Sequence, residues 1–293
     1  MDAPLRFPGN DALMSYWNKV QNRYKYRDKG SDEMLLRAMR ATYYACISFI
    51  DFQLKRIVDE LEATGQLDNT LILFTADHGE MLGDYGCVGK RSMLEASARV
   101  PLLARLPGRF EAGKQCDVPA TLLDILPTCL GVAGVDMPAT DEAKHGRDLA
   151  TLGEMEDRLV LSQFSEKAFG LYMAATRDWK YVYSAPDERE WLFDLRRAAH
   201  EAHDLARNPM FADKLRELRG QLLARLREDG YGETLDGDGW KTFGRRELSA
   251  NADFGLLFQD APGAQERIDA LGSDYARTVT VSARDSFEIM RTK

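Results

Sequence analysis

Residues 70–90 read TLILFTADHGEMLGDYGCVGK. The first six, Thr70–Thr75, form a continuous apolar run with β-branched and aromatic members, which predicts a strand buried on both faces. Upstream, Leu36, Met39, Tyr43, Ile47, Ile50, Leu54, Ile57 and Leu61 recur at steps of three and four, the period of one helical face. Arg37, Arg40, Asp51, Lys55, Asp59 and Glu62 fall on the opposite face. Ser31 is placed as the N-cap, Asp32 and Glu33 suit the positive end of the helix dipole, and Gly65 is placed to close the C-terminus. A long helix feeding such a strand reads as α/β.

Downstream, Arg99–Leu106 predicts a second strand ended by Pro107-Gly108, with Pro101 marking an edge or a strand start. Asp124–Gly134 predicts a short helix, with Asp124 as N-cap, Pro127 in the first turn and Gly131 or Gly134 as the stop. Residues 136–157, rich in Asp, Glu, Gly and Pro, read as a connector. Leu159–Phe164, Leu171–Thr176, Lys180–Ser184 and Trp191–Leu195 follow as short strand candidates, and Met210–Arg227 as a helix. That order predicts a small antiparallel sheet covered by one helix. The expected division is 1–150 for a partial α/β domain, 151–229 for the small α+β subdomain and 230–293 for a C-terminal extension. In the extension, Trp240, Phe243, Phe254, Leu256, Leu257 and Phe258 are candidates to dock onto the body or onto a second subunit.

Composition narrows the function classes. With 44% hydrophobic and 29% charged residues over 293 positions, the chain can bury a sizeable core without metal or disulfide staples. No apolar stretch approaches the roughly 18–20 residues of a membrane span. A net charge of −8 argues against wholesale binding of nucleic acid or anionic lipid. Cys46, Cys87, Cys116 and Cys129 make no C-x-x-C pair, so reduced thiols are the default. The first twenty residues lack a secretory pattern, which leaves the compartment unknown and cytoplasmic by default.

The chemistry-bearing candidates follow the first strand at once. In α/β sheets ligands bind beyond the carboxyl ends of the strands, where Asp77-His78 falls. An Asp oxygen beside a His nitrogen can ligate a divalent cation, and Gly79, Gly83, Gly86 and Gly89 let the backbone bend close to a ligand. Lys90, delivered by that loop, can hold an anionic oxygen as a point charge. The competing reading makes Asp77 a helix cap, His78 a polar loop residue and Lys90 a solvated side chain. His145, His200 and His203 sit in polar, loop-like contexts and read as surface residues.

Residues 43–108 resemble the second half of the catalytic domain of the sulfatases, in the alkaline-phosphatase superfamily. DILPTCLGVAG (Asp124–Gly134), HGRDL (His145–Leu149), RDWKYVY (Arg177–Tyr183) and WLFDLRRAAHEAHDLARNP (Trp191–Pro209) resemble later family segments in the same order. The resemblance implies a partial sulfatase-like α/β sandwich with a C-terminal antiparallel sheet-plus-helix subdomain. It implies Asp77 and His78 as metal ligands for Ca2+, or Mg2+ or Mn2+, and Lys90 as the residue that binds sulfate and stabilises the leaving group. Such a cation with a lysine would neutralise an anionic ester and a departing alkoxide. Glu95 and Arg99 fit the family's E-x-S-x-R-V-P pattern and read as a buried structural pair.

Two departures qualify the resemblance. The family's C-x-P-x-R or S-x-P-x-R motif, source of the formylglycine nucleophile, does not occur in the 293 residues, nor does the paired acidic strand end before it. The chain therefore reads as the family's catalytic domain without its first half, inactive alone. Tyr85 stands where many members have histidine, and Cys87 is the thiol nearest the candidate site. The implied partner is a small sulfate ester. Phosphate or phosphonate esters, and a non-catalytic remnant or a subunit that self-associates or pairs with a chain supplying the other half, stay open as alternatives.

Overall fold

The computed structural model describes residues 4–6, 8–26, 33–136, 145–153, 158–196 and 201–248. Ser31, Asp32, His200, Phe254, Leu256, Leu257 and Phe258, and parts of the 136–157 connector, lie outside the described residues.

Helix α1 spans Tyr16–Tyr26 and the long helix α2 spans Glu33–Ala63. Helix α2 stops in the way its glycine predicts. Gly65 takes φ 67°, and the amides of Gly65 and Gln66 reach back to Glu62 O and Leu61 O, the paired bonds of a left-handed helix cap. Strand β1 (Ile72–Thr75) follows, then the 76–94 loop, the single-turn helix α3 (Glu95–Ala98) and β2 (Leu102–Arg105). Pro101 immediately precedes β2. Strands β1 and β2 pair antiparallel, with Ile72 opposite Arg105 and Thr75 opposite Leu102.

Here the sequence expectation needs correction. β1 is half-buried along its length, because β2 is its only partner strand among the described residues. Most of the apolar stripe of α2 beyond Leu36 is exposed or partly so: Tyr43 38%, Ile47 47%, Ile50 50% and Ile57 58%. Arg40, expected on the polar face, is buried, because it follows Leu36 by one helical turn and shares its inward side. It donates to Leu82 O at 3.1 Å and pairs with Asp84 at 3.2 Å, so the helix presses Leu36 and Arg40 against the 76–94 loop.

Helix α4 spans Ile125–Ala133, preceded by the short 3-10 turn Leu122–Asp124, where Thr121 and Asp124 form a reciprocal capping box. Gly134 at φ 67° ends α4. Asp124 also carries a structural ion pair: Arg158 binds its two carboxylate oxygens at 2.7 Å each, both side chains fully or nearly buried. A bidentate fork of this kind, desolvated on both sides, fixes where the chain re-enters the body after the connector.

Strands β3 (Val160–Phe164), β4 (Leu171–Ala175), β5 (Trp179–Ser184) and β6 (Arg189–Asp194) form one antiparallel sheet in chain order. Alternation sends Tyr172, Ala174, Tyr181, Tyr183 and Leu192 to one face, where α5 (Ala212–Glu228) supplies Leu215, Leu218, Leu222 and Leu226. Burying each leucine stabilises the layer by about 1.5–3 kcal/mol. The other face is covered as well, which the expectation of one covering helix does not include. Met173, Ala175, Val182, Trp191 and Phe193 pack against Leu13 ahead of α1, Trp17 of α1, and Met81, Tyr85, Cys87, Met93 and Leu94 of the loop region. With both faces covered, β4 reads as a continuous buried strand.

Beyond α5 the short strands β7 (Leu235–Asp236) and β8 (Gly239–Trp240) return the chain to the sheet. Trp240 stacks on Tyr183 at 4.0 Å and on Tyr172 at 5.1 Å, so this aromatic of the extension docks onto the body.

Candidate functional site

Strand β1 ends at Thr75, and two residues later Asp77 and His78 stand at the rim. Asp77 Oδ1 accepts the His78 amide at 3.0 Å, and Asp77 Oδ2 lies 3.3 Å from His78 Nε2. His78 Nδ1 lies 2.8 Å from Gly79 O. A carbonyl only accepts, so that contact places the ring proton on Nδ1 and leaves the Nε2 lone pair facing outward. Lys90 Nζ meets that lone pair at 2.6 Å. The structure thus brings all three candidate side chains together. A carboxylate oxygen and an imidazole nitrogen face one position, with an ammonium now beside it.

Glycine makes this approach feasible. A Cβ on Gly79 would lie 2.1 Å from Ala96 O, inside any allowed contact. The Gly79 amide instead donates to Ser97 O at 2.8 Å. Gly89 has φ 87°, and a Cβ there would meet Gln21 Oε1 at 2.0 Å. The Gly89 amide donates to Glu80 at 2.5 Å. Helix α1 holds the same loop with amide side chains: Asn22 Nδ2 donates to Gly86 O at 2.9 Å and Asn22 Oδ1 accepts from Val88 N at 3.1 Å.

Asp77 is 83% exposed and His78 35% exposed at their side chains. Among the described residues no group of three or more His, Cys, Asp or Glu side chains is arranged to hold a metal ion. Asp77 and His78 offer two donors of mixed oxygen and nitrogen type, well short of the about six to eight oxygens calcium takes. The donor set fits part of a cation's shell and does not complete one.

The other sequence candidates separate from this rim. Tyr85, 3% exposed, sits at φ 57° and accepts from Glu201 N at 3.2 Å. Burial and the Glu201 carboxylate push its phenol far above the ordinary range. Cys87 is fully buried, and burial pushes its thiol up to about 12, so it stays protonated and unreactive at neutral pH. His145 is part-buried against Asp229 at 2.8 Å, a correction to its surface reading, because α5 delivers that carboxylate from a distant stretch. His203 is exposed.

Arg99 and Glu95 are corrected too. Arg99 is 80% exposed and only 3.6 Å from Glu95. The buried cation is Lys180 of β5, 1% exposed, which pairs with Glu95 and lies 2.8 Å from Glu201. Glu95 lies 85 residues from Lys180 and 106 from Glu201, separations that periodicity does not register. The available signal was a lone lysine inside the apolar alternation of WKYVYS.

Comparison with known proteins places these features in a wider set. A family model described as Sulfatase matches residues 9–135, and one described as N-sulphoglucosamine sulphohydrolase, C-terminal, matches residues 83–229. The choline-sulfatase of Rhizobium meliloti (strain 1021) is 37% identical over 188 residues, covering 63% of this chain and 36% of that protein. The arylsulfatase of Clostridium perfringens (strain 13 / Type A) is 31% identical over 236 residues, 75% of this chain and 48% of its own length. Among solved structures, phosphonate monoester hydrolase SpPMH from Silicibacter pomeroyi superposes with a TM-score of 0.68 at 25% identity, covering 84% of this chain and 55% of that one. The chain spans about a third to a half of the length of these curated relatives.

Proposed function

Because this chain belongs to the sulfatase family, we propose that Asp77, His78 and Lys90 are its share of a metal-dependent site that hydrolyses sulfuric esters. The observation that carries the reading is the contact of Lys90 Nζ with His78 Nε2 at 2.6 Å, beside Asp77 Oδ2. With Lys90 Nζ moved off the Nε2 lone pair, Asp77 and His78 Nε2 would hold a divalent cation, Ca2+, Mg2+ or Mn2+, which when bound supplies Lewis-acid stabilisation of the ester oxygens. Lys90 binds a sulfate oxygen and offsets negative charge on the departing alkoxide. Gly79 O fixes the His78 tautomer that offers a lone pair to the site.

The nucleophile is a separate matter. No C-x-P-x-R or S-x-P-x-R sequence occurs in the chain, and Cys87 is buried and protonated. We therefore propose that these 293 residues alone do not turn over an ester and that a polypeptide carrying that motif and further metal ligands completes the site. The apolar side chains that α2 leaves exposed support this reading, since Phe49, Phe52 and Ile57 are each more than half exposed. A face of that kind favours self-association or pairing with the chain that supplies the rest.

A second reading, hydrolysis of phosphate or phosphonate esters, is favoured by the likeness to the phosphonate monoester hydrolase, since one lysine and one cation serve either anion. Turnover of 4-nitrophenyl sulfate and 4-nitrophenyl phosphate by a form that includes the C-x-P-x-R region separates the two. Sulfate preference is expected; a large phosphate preference moves the assignment to the second reading, and no turnover of either overturns both.

A further inference from the structure

The Lys90–His78 contact is held from the opposite layer of the molecule. Lys180 lies on β5, facing the loop layer with Val182; its ammonium donates to Met93 O at 3.0 Å and to the Glu95 carboxylate, and forms an ion pair with Glu201 Oε1 at 2.8 Å. Glu201 in turn accepts the Glu95 amide at 2.6 Å, at the start of α3. Two residues on, Ser97 Oγ donates to Lys90 O at 2.5 Å and Ser97 O accepts the Gly79 amide at 2.8 Å. One serine therefore clamps the backbones on both sides of the site, that of Lys90 and that of the residue after His78.

We infer that Ser97, Lys180 and Glu201 are positioning residues, which hold α3 so that Lys90, as anion binder, and His78, as cation ligand, stay side by side. The inference deepens the reading of Asp77, His78 and Lys90 as one site and rests on it. Desolvated groups of opposite charge hold geometry well only when every partner is present, and here the cluster bridges β5, the segment after β6 and α3. The buried sheet face thereby sets the spacing at the rim. Neither Lys180 nor Glu201, each 1% exposed at its side chain, reaches solvent to act on a substrate itself.

The test reads the ring nitrogens of His78 and its contact with Lys90 by NMR in the full chain, alongside thermal melting. Ser97→Ala is expected to shift the His78 ring signals and lose the Lys90 contact while the melting temperature stays near wild type. Ser97→Thr, which keeps the hydroxyl, is expected to retain both. Glu201→Gln, close in volume, is expected to move the His78 signals in the same direction as Ser97→Ala, and serves where Lys180→Met fails to fold. Ser97→Ala and Glu201→Gln that fold with unchanged His78 signals and an intact Lys90 contact would overturn the inference. The readout does not involve turnover. A moved His78 signature in a protein whose completed form hydrolyses no ester would keep the positioning role and remove the hydrolase reading.

Discussion

Lys180 Nζ lies 2.8 Å from Glu201 Oε1, with each side chain 1% exposed. A pair so desolvated is unforgiving of losing one member. Lys180→Met would leave Glu201, and in part Glu95, as buried carboxylates without their cation. The expected cost is about 3–5 kcal/mol, read as a lower midpoint in urea denaturation. A loss below roughly 1 kcal/mol would show that water or Arg99 compensates.

The same pair predicts a pH dependence. Burial raises the Glu201 carboxyl above its ordinary 4.5, against the opposing pull of Lys180. A raised folded-state value means the folded protein binds the proton more tightly than the unfolded chain. Its favourable contribution is complete below pH 4.5 and is lost as pH rises from there through the raised value. Glu201→Gln has no such titration, so its stability relative to wild type is expected to improve as pH climbs through that window. A difference that stays flat from pH 4 to 7 would contradict the direction of the shift.

Gly79→Ala tests the close approach that brings the rim together. The new methyl would meet Ala96 O at 2.1 Å, backbone against backbone, so α3 or the 77–79 turn must move. Overpacking of this kind costs about 1–3 kcal/mol, and the displaced turn should separate His78 from Lys90. A crystal structure of a fully stable Gly79→Ala variant with the Lys90–His78 contact intact would contradict this.

Much of this architecture was legible in the residues. Strands β3 to β6 are short apolar runs between turn residues, α5 buries one regular leucine stripe, and α2 and α4 end on glycines at positive φ; those are local signals. Helix α1 was not read, because its inward side mixes Trp17 with Asn18, Gln21 and Asn22, a polar stripe that holds a loop by hydrogen bonds and has no apolar period. Charge alone sends Arg40 to solvent, whereas its place one turn after Leu36 and the Asp84 carboxylate of the distant loop draw it inward. At the site, Asp77, His78 and Lys90 were readable as chemistry at a strand end. Lys180, Glu201 and Ser97 were not, because their significance lies in contacts across layers.

The apolar face of α2 predicts association. With Ile47, Phe49, Ile50 and Ile57 each at least 47% exposed, the isolated chain is expected to form dimers or larger species at micromolar concentration by light scattering. Phe49→Lys with Ile57→Lys should shift it toward monomer. A wild-type chain that is cleanly monomeric would show that this face is tolerated in water.

The most direct measurement is Mn2+ titration of the isotopically labelled chain, following paramagnetic broadening. If Asp77 and His78 hold a cation with Lys90 beside it, the His78 ring and Lys90 side-chain signals broaden together, and Asp77→Asn abolishes the effect. Broadening confined to other carboxylate clusters, or unaltered by Asp77→Asn, would contradict the assignment.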